Sequence, residues 1–294
     1  MKLQPVSERT RAVALVLLAY VGALGAAVVA GSAIDAGPIL RALVADVAAT
    51  CVVFVFSLAW DNSSFYDPYW SIAPPLLGGY WWWHAGARLE ARPLLVLALV
   101  TVWAVRLTYN WAVGWRGLGH EDWRYIQIRA KAGRAYWPVS FLGIHMFPTA
   151  QVFLGCLALY AALAGRAPPG PLDALAAAVT LAAIVVEAVA DAQLRRFASR
   201  PDRPSGATMD RGLWAFSRHP NYFGEALFWW GLLLFAAAAQ PLSWWHAAGA
   251  LAITAMFVLV SIPLMERRSL ARRPDYAIHQ QRVSMLVPWF RRDA

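Results

Sequence analysis

Eight stretches, at about 11–31, 39–60, 68–86, 92–115, 139–164, 171–196, 222–239 and 244–265, are each roughly 20 residues long and nearly devoid of charge. A hydrocarbon core about 30 Å thick is crossed by a helix of about 20 apolar residues. In lipid, a chain satisfies its backbone polar groups only as helices or a closed barrel. The runs are too long for barrel strands, so the sequence predicts an all-α, polytopic membrane helix bundle of about eight transmembrane helices. The third run is the least regular, because Pro68, Pro74 and Pro75 crowd its start. The first is too long, and lacks the small-residue cleavage pattern, for a removable signal peptide. Composition agrees: charged residues are 15% of the chain, against about 25% in soluble domains. Sixteen Trp suit two membrane–water interfaces. Cys51 and Cys156 lie in apolar runs without CxxC or His-rich context, supporting neither a disulfide framework nor a zinc site.

The net charge of +9 raises nucleic acid as a partner, but its distribution argues for topology instead. Most of the basic residues fall in four segments: the N-terminus (Lys2, Arg9, Arg11), the 116–138 connection, the 194–220 connection and the C-terminal tail. With eight crossings all four lie on one side. The positive-inside rule then makes that side cytoplasmic, with both termini inside. The expected location is the bacterial inner membrane, with membrane lipids as surroundings and no nucleic-acid partner. Oligomeric state is left open.

Polar residues inside spans are costly and face an interior or a cavity. Glu187, Asp191 and Arg195 recur at i, i+4 and i+8, on one helical face. They read as an interhelical ion pair or as the polar wall of a cofactor cavity. Arg106 shares a face with Tyr109 and Asn110, with Arg116 beyond; it either snorkels or lines a pocket. Glu121-Asp122-Trp123-Arg124-Tyr125 is a docked interfacial segment or a cofactor contact. Asp67 opens the Pro-rich third run, where it could cap the helix. Equally, desolvation could keep it protonated, as a donor to a substrate carbonyl.

The most specific motif is Ser217-Arg218-His219-Pro220-Asn221-Tyr222-Phe223-Gly224-Glu225. Pro220 fits a first helical turn. The helix N-terminus, with Arg218 and His219, favours an anion such as phosphate. Asn221 and Glu225 share a face, and Gly224 permits close backbone approach. The tail carries Glu266-Arg267-Arg268, Arg273-Pro274-Asp275-Tyr276 and a final Pro288-Trp289. Its cations suit lipid headgroups or cofactor phosphates. No GxGxxG, P-loop, HExxH or GxSxG occurs. Any nucleotide is therefore held at helix ends and not by a Rossmann domain.

Through Arg211-Gly212-Leu213-Trp214-Ala215-Phe216 and the block that follows, the chain resembles the steroid 5α-reductase C-terminal superfamily, and more closely its bacterial DUF1295-type branch. The resemblance spans about 187–290 and includes Glu187, Asp191, Glu266-Arg267 and Tyr276 through Trp289. A weaker likeness covers 62–137, through Asp67-Pro68-Tyr69-Trp70-Ser71-Ile72-Ala73-Pro74 and through Arg106, Tyr109 and Arg116-Gly117. Residues 1–60 have no clear counterpart, so the chain divides into 1–60 and a reductase-like membrane core over 61–294.

The resemblance implies an NADPH-dependent enone reductase acting on a steroid-like or other lipophilic small-molecule substrate in lipid metabolism. Asp67, with Tyr66 beside it, would be the acid. Arg106, Tyr109, Arg116, Glu187, Asp191, Arg195, Arg218, His219, Asn221, Tyr222, Glu225, Arg267 and Tyr276 would form the cofactor shell, with no metal. Trp103 stands where the steroid reductases carry a catalytic Tyr. The alternative is an S-adenosylmethionine-dependent membrane methyltransferase of the isoprenylcysteine or phospholipid type, which shares the Arg-His-Pro-x-Tyr-x-Gly motif. A non-enzymatic lipid carrier is a third class.

Overall fold

The computed structural model describes residues 6–204 and 206–292; Lys2, counted above with the N-terminal cations, lies outside them. The described residues are helical throughout, apart from turns and one isolated bridge between Ser217 and Ser284. The chain is a polytopic membrane helix bundle. It associates with membrane lipids, because the exposed faces of its long helices are apolar.

In order, α1 spans Val6–Ser32, α2 Pro38–Ala59, α3 Tyr69–His84 and α4 Ala91–Gly114. Next comes one composite helical run. It comprises α5 (Trp123–Ala132), a 3-10 turn, α6 (Tyr136–Ser140), a π turn over Phe141–Met146 and α7 (Phe147–Ala164). Then come α8 (Pro171–Ala198), α9 (Pro220–Ala239), α10 (Trp244–Met256), a π turn over Phe257–Ser261, α11 (Ile262–Leu270) and α12 (Tyr276–Arg282).

Among the described residues seven helical runs are long and apolar enough to cross a bilayer. The expected eighth, α3, is the exception. Its 16 residues reach only about 24 Å at 1.5 Å per residue. Asp61-Asn62 and the 3-10 turn Ser63–Tyr66 consume the sequence before it, and Pro74 and Pro75 sit inside it. The composite run, in contrast, begins at Trp123, well before the expected 139.

The chain forms two compact units. The first comprises residues 1–89 and 100–157. Its core joins Val16, Ala19 and Ala23 of α1 to Val53 of α2, with Phe65, Tyr66, Tyr69 and Trp115. The second comprises 90–99 and 158–294. Within it α8 and α9 pack through small residues, as close helix contact in lipid demands. A Cβ on Gly224 would lie 2.8 Å from Glu187 Cβ and 2.9 Å from the Ala183 carbonyl oxygen. Gly231 meets Thr180 in the same way. The buried guanidinium of Arg92 clasps this unit, donating to Asp173 at 2.5 and 2.8 Å and to the carbonyls of Ala167, Pro168 and Ala238.

Candidate active site

In the first unit the 61–67 turn is built as a platform. Asn62 caps it, accepting from Ser64 N at 2.8 Å. The same amide donates to the Leu118 and His120 carbonyls, fastening the turn to the segment that enters α5. Glu121 then accepts from Ser63 N at 2.8 Å and from the Tyr136 hydroxyl at 3.2 Å. Ser63 Oγ lies 2.6 Å from Tyr136 Oη and 2.9 Å from Ser140 Oγ. Arg129 pairs with Asp61 at 2.7 Å and sits 3.9 Å over the Tyr136 ring. The Glu121–Tyr125 segment is therefore docked on the turn.

Asp67 does not cap α3: Pro68 occupies that cap, and no side chain bonds there. Instead the half-buried carboxyl accepts from the Tyr125 hydroxyl at 2.8 Å. Desolvation pushes its pKa up to about 7, against the opposing pull of the Tyr125 hydrogen bond and the Arg124 charge. Arg124 is itself held by Asp122, at 2.8 Å. Asp67 is thus a carboxylic acid poised near neutrality beside a phenol.

The Tyr66 hydroxyl is 2.7 Å from Thr149 Oγ1, which meets Thr50 Oγ1 at 2.9 Å. Burial pushes that phenol well above the usual tyrosine range, so it acts as a neutral donor and not as a base. The sequence reading did not single out His145, buried beneath the turn. Its Nδ1 bonds the Ser140 carbonyl and its Nε2 meets Ser57 Oγ, both at 3.0 Å. A carbonyl only accepts, so Nδ1 carries the proton and Nε2 accepts. Arg106, half-buried, also belongs to this unit, as do the exposed Tyr109 and Arg116.

In the second unit the 217–225 motif and the tail form one cluster. Pro220 starts α9, as its missing N–H favours. Arg218 donates to Glu266 at 2.5 Å and to the Gln280 and Val283 carbonyls at 2.7 and 2.6 Å. Glu266 also takes Gln280 Nε2 at 2.6 Å and lies 3.3 Å from His219 Nε2. Ser217 Oγ donates to the Leu286 carbonyl at 2.7 Å. The guanidinium is thereby spent on pinning the tail. His219 stacks on Tyr222, and Tyr222 on Phe257, 4.7 Å between centroids. Glu187 is buried, Asp191 and Asn221 are half-buried, and Arg195 and Arg267 are exposed. Glu225 accepts from Trp229 Nε1 at 2.9 Å. Burial, with the Glu266 charge nearby, raises Tyr276 to about 12.

The sequence reading also passed over a cleft of about 190 Å³ at the end of α8. It is lined by Arg196, Arg200 and Arg211, with Gln193, Met209 and Gly212. None of the three arginines pairs with a carboxylate among the described residues. Arg196 on α8 and Arg200 just past its end were legible as a basic run; the return of Arg211 beside them was not. A Cβ on Gly212, whose φ is +61°, would meet the Gln193 side chain. Three guanidinium groups around a phosphate-sized cleft fit the phosphates of a nucleotide.

The sequence pattern of the family described as "Protein of unknown function (DUF1295)" matches residues 53–283. The chain belongs to the DUF1295 family. It is also 28% identical over 261 residues to an uncharacterized protein of Schizosaccharomyces pombe, covering 81% of this chain and 76% of that protein. No solved structure matches it.

Proposed function

We propose that this DUF1295 member is a membrane oxidoreductase that uses NADPH to reduce a carbon–carbon double bond conjugated to a carbonyl in a lipophilic substrate. The observation that carries the reading is Asp67, a shielded carboxyl group that stays protonated up to about pH 7 and is oriented by Tyr125. The resemblance of residues 187–290 to the steroid 5α-reductase superfamily supports the same chemistry.

Arg196, Arg200 and Arg211 carry the charge that the phosphates of NADPH require. When bound, NADPH supplies the hydride, which adds to the β-carbon of the enone. Asp67 donates a hydrogen bond to the ketone oxygen and stabilises the charge that grows there, in a site poor in water. Its proton then passes to the reduced substrate, and the carboxylate recovers a proton from water.

The test is binding by the detergent-solubilised protein. NADPH is expected to bind, and Arg196→Ala with Arg211→Ala to weaken it at least tenfold. Binding of S-adenosylmethionine in its place would overturn the reductase reading in favour of the methyltransferase class.

A further inference from the structure

A second feature of the first unit lies largely ahead of the residues that the family pattern matches. A pocket of about 690 Å³ opens between α1, α2 and α3. Its mouth is rimmed by Val21, Val28, Leu76 and Trp83, all exposed and apolar. Volumes of 300–1,000 Å³ with an apolar lining and few polar groups are those of small-molecule sites. Its polar lining is Ser32, Arg41, Asp46 and the tyrosines Tyr20, Tyr69 and Tyr80, and Asp46 of α2, only 5% exposed, is the one carboxyl among them. Its Oδ1 accepts from the Tyr69 hydroxyl at 2.6 Å, while its Oδ2 is buried with no hydrogen-bond partner. A buried carboxyl oxygen left unpaired costs free energy, and acids inside a span mark functional positions.

We propose that this pocket binds a lipophilic alcohol drawn from the membrane, its hydroxyl group meeting Asp46 Oδ2 once the buried carboxyl group turns toward the pocket and gains the partner it lacks. A hydroxyl both donates and accepts, so it satisfies Oδ2 whether the carboxyl is ionised or protonated. A ketone serves only the acid and an ammonium only the carboxylate. Arg41 lines the same pocket and opposes a second cation. The apolar lining takes the hydrocarbon body, and the open mouth admits it sideways from lipid. The inference stands independently of the NADPH reading, because it uses neither Asp67 nor the arginine cleft.

The test uses the full chain in vesicles without NADPH, labelled with a diazirine-bearing hexadecanol and, in parallel, with the matching hydrocarbon lacking the hydroxyl. Labelled peptides are mapped by mass spectrometry. The alcohol is expected to label residues 17–49 and 69–83 at least fivefold more than the hydrocarbon, and excess unlabelled hexadecanol to compete. Asp46→Leu should abolish that preference. The variant leaves the Tyr69 hydroxyl a partner, because it also donates to the main-chain carbonyl of residue 46 at 3.0 Å. Ala27→Phe, which narrows the pocket without touching Asp46, should reduce labelling by both probes. Equal labelling by alcohol and hydrocarbon, or a preference that survives Asp46→Leu, overturns the proposal. So does crosslinking of these residues to a second copy of the chain in place of the probe.

Discussion

At the scale of single residues, Asp67 sets the pH dependence. Its acid form is the active one, and its pKa is raised to about 7. Turnover is therefore expected to be full below neutrality and to fall as pH rises through 7. The Tyr125 hydrogen bond favours the ionised form, so Tyr125→Phe should move the falling limb to higher pH. A pH–rate series on both proteins checks the sign, which a merely structural Tyr125 would not produce. Asp67→Asn keeps a donor and loses the transferable proton. It should bind NADPH normally and lose about 10²–10⁴-fold in turnover, the range of general acid catalysis. Wild-type turnover in that variant would reduce Asp67 to a fixture of the turn.

At the scale of elements, the tail is held by the Arg218–Glu266 pair and by α12. Removing one partner of a buried pair strands the other, typically at 3–5 kcal/mol. Glu266→Ala is thus expected to expose residues 271–292 to limited proteolysis, while the α8–α9 pair stays folded. His279, buried in α12, is held near pKa 4 chiefly by desolvation, against the opposing charge of Asp210 and with Arg291 and Arg218 adding to the shift. An unfolded histidine titrates near 6.5, so the unfolded tail binds the proton first. The contribution of His279 to docking is full above pH 6.5 and is lost as pH falls toward 4. Hydrogen exchange of 276–282 at pH 7 and pH 5 measures this, and His279→Gln should remove most of the difference. In α9, Gly224→Ala places a methyl group against Glu187 and Ala183. About 1–3 kcal/mol of overpacking should appear as a lower melting temperature.

At the scale of the whole molecule, the side on which the chain ends turns on α3. Seven crossings put the termini on opposite faces and eight put them together. The basic segments favour eight, and thinning of the bilayer around a short helix is a modest cost. Reporters fused at Met1 and at Ala294 are expected to report the same, cytoplasmic, side; opposite readings would leave α3 as a re-entrant segment. The long helices were legible because twenty apolar residues in a row have few other options in lipid. Pro220 at a helix start and the close approach at Gly224 followed from local chemistry. The partner of Asp67 did not, because Tyr125 reaches it from 58 positions away through a docked loop whose path no periodicity encodes. Arg218 was readable as a cation at a helix start. Its commitment to Glu266 depended on where the tail returns. Asp46 was hidden for the opposite reason: one acid in an apolar run reads as an exception to a span and not as the floor of a cavity.

The π turn over Phe257–Ser261 also has a rotational meaning. Each residue turns an α-helix by about 100°, and a π turn accommodates an extra residue without breaking the helix. It therefore fixes the angular phase at which α11 presents Glu266 to Arg218 and His219. Deleting Leu259, exposed and apolar, would leave the span long and apolar enough to insert. The π turn would then close into plain α-helix and Glu266 would keep its phase, whereas deleting a residue from α10, where no extra residue is stored, would swing Glu266 by about a quarter turn and cost the tail its anchor.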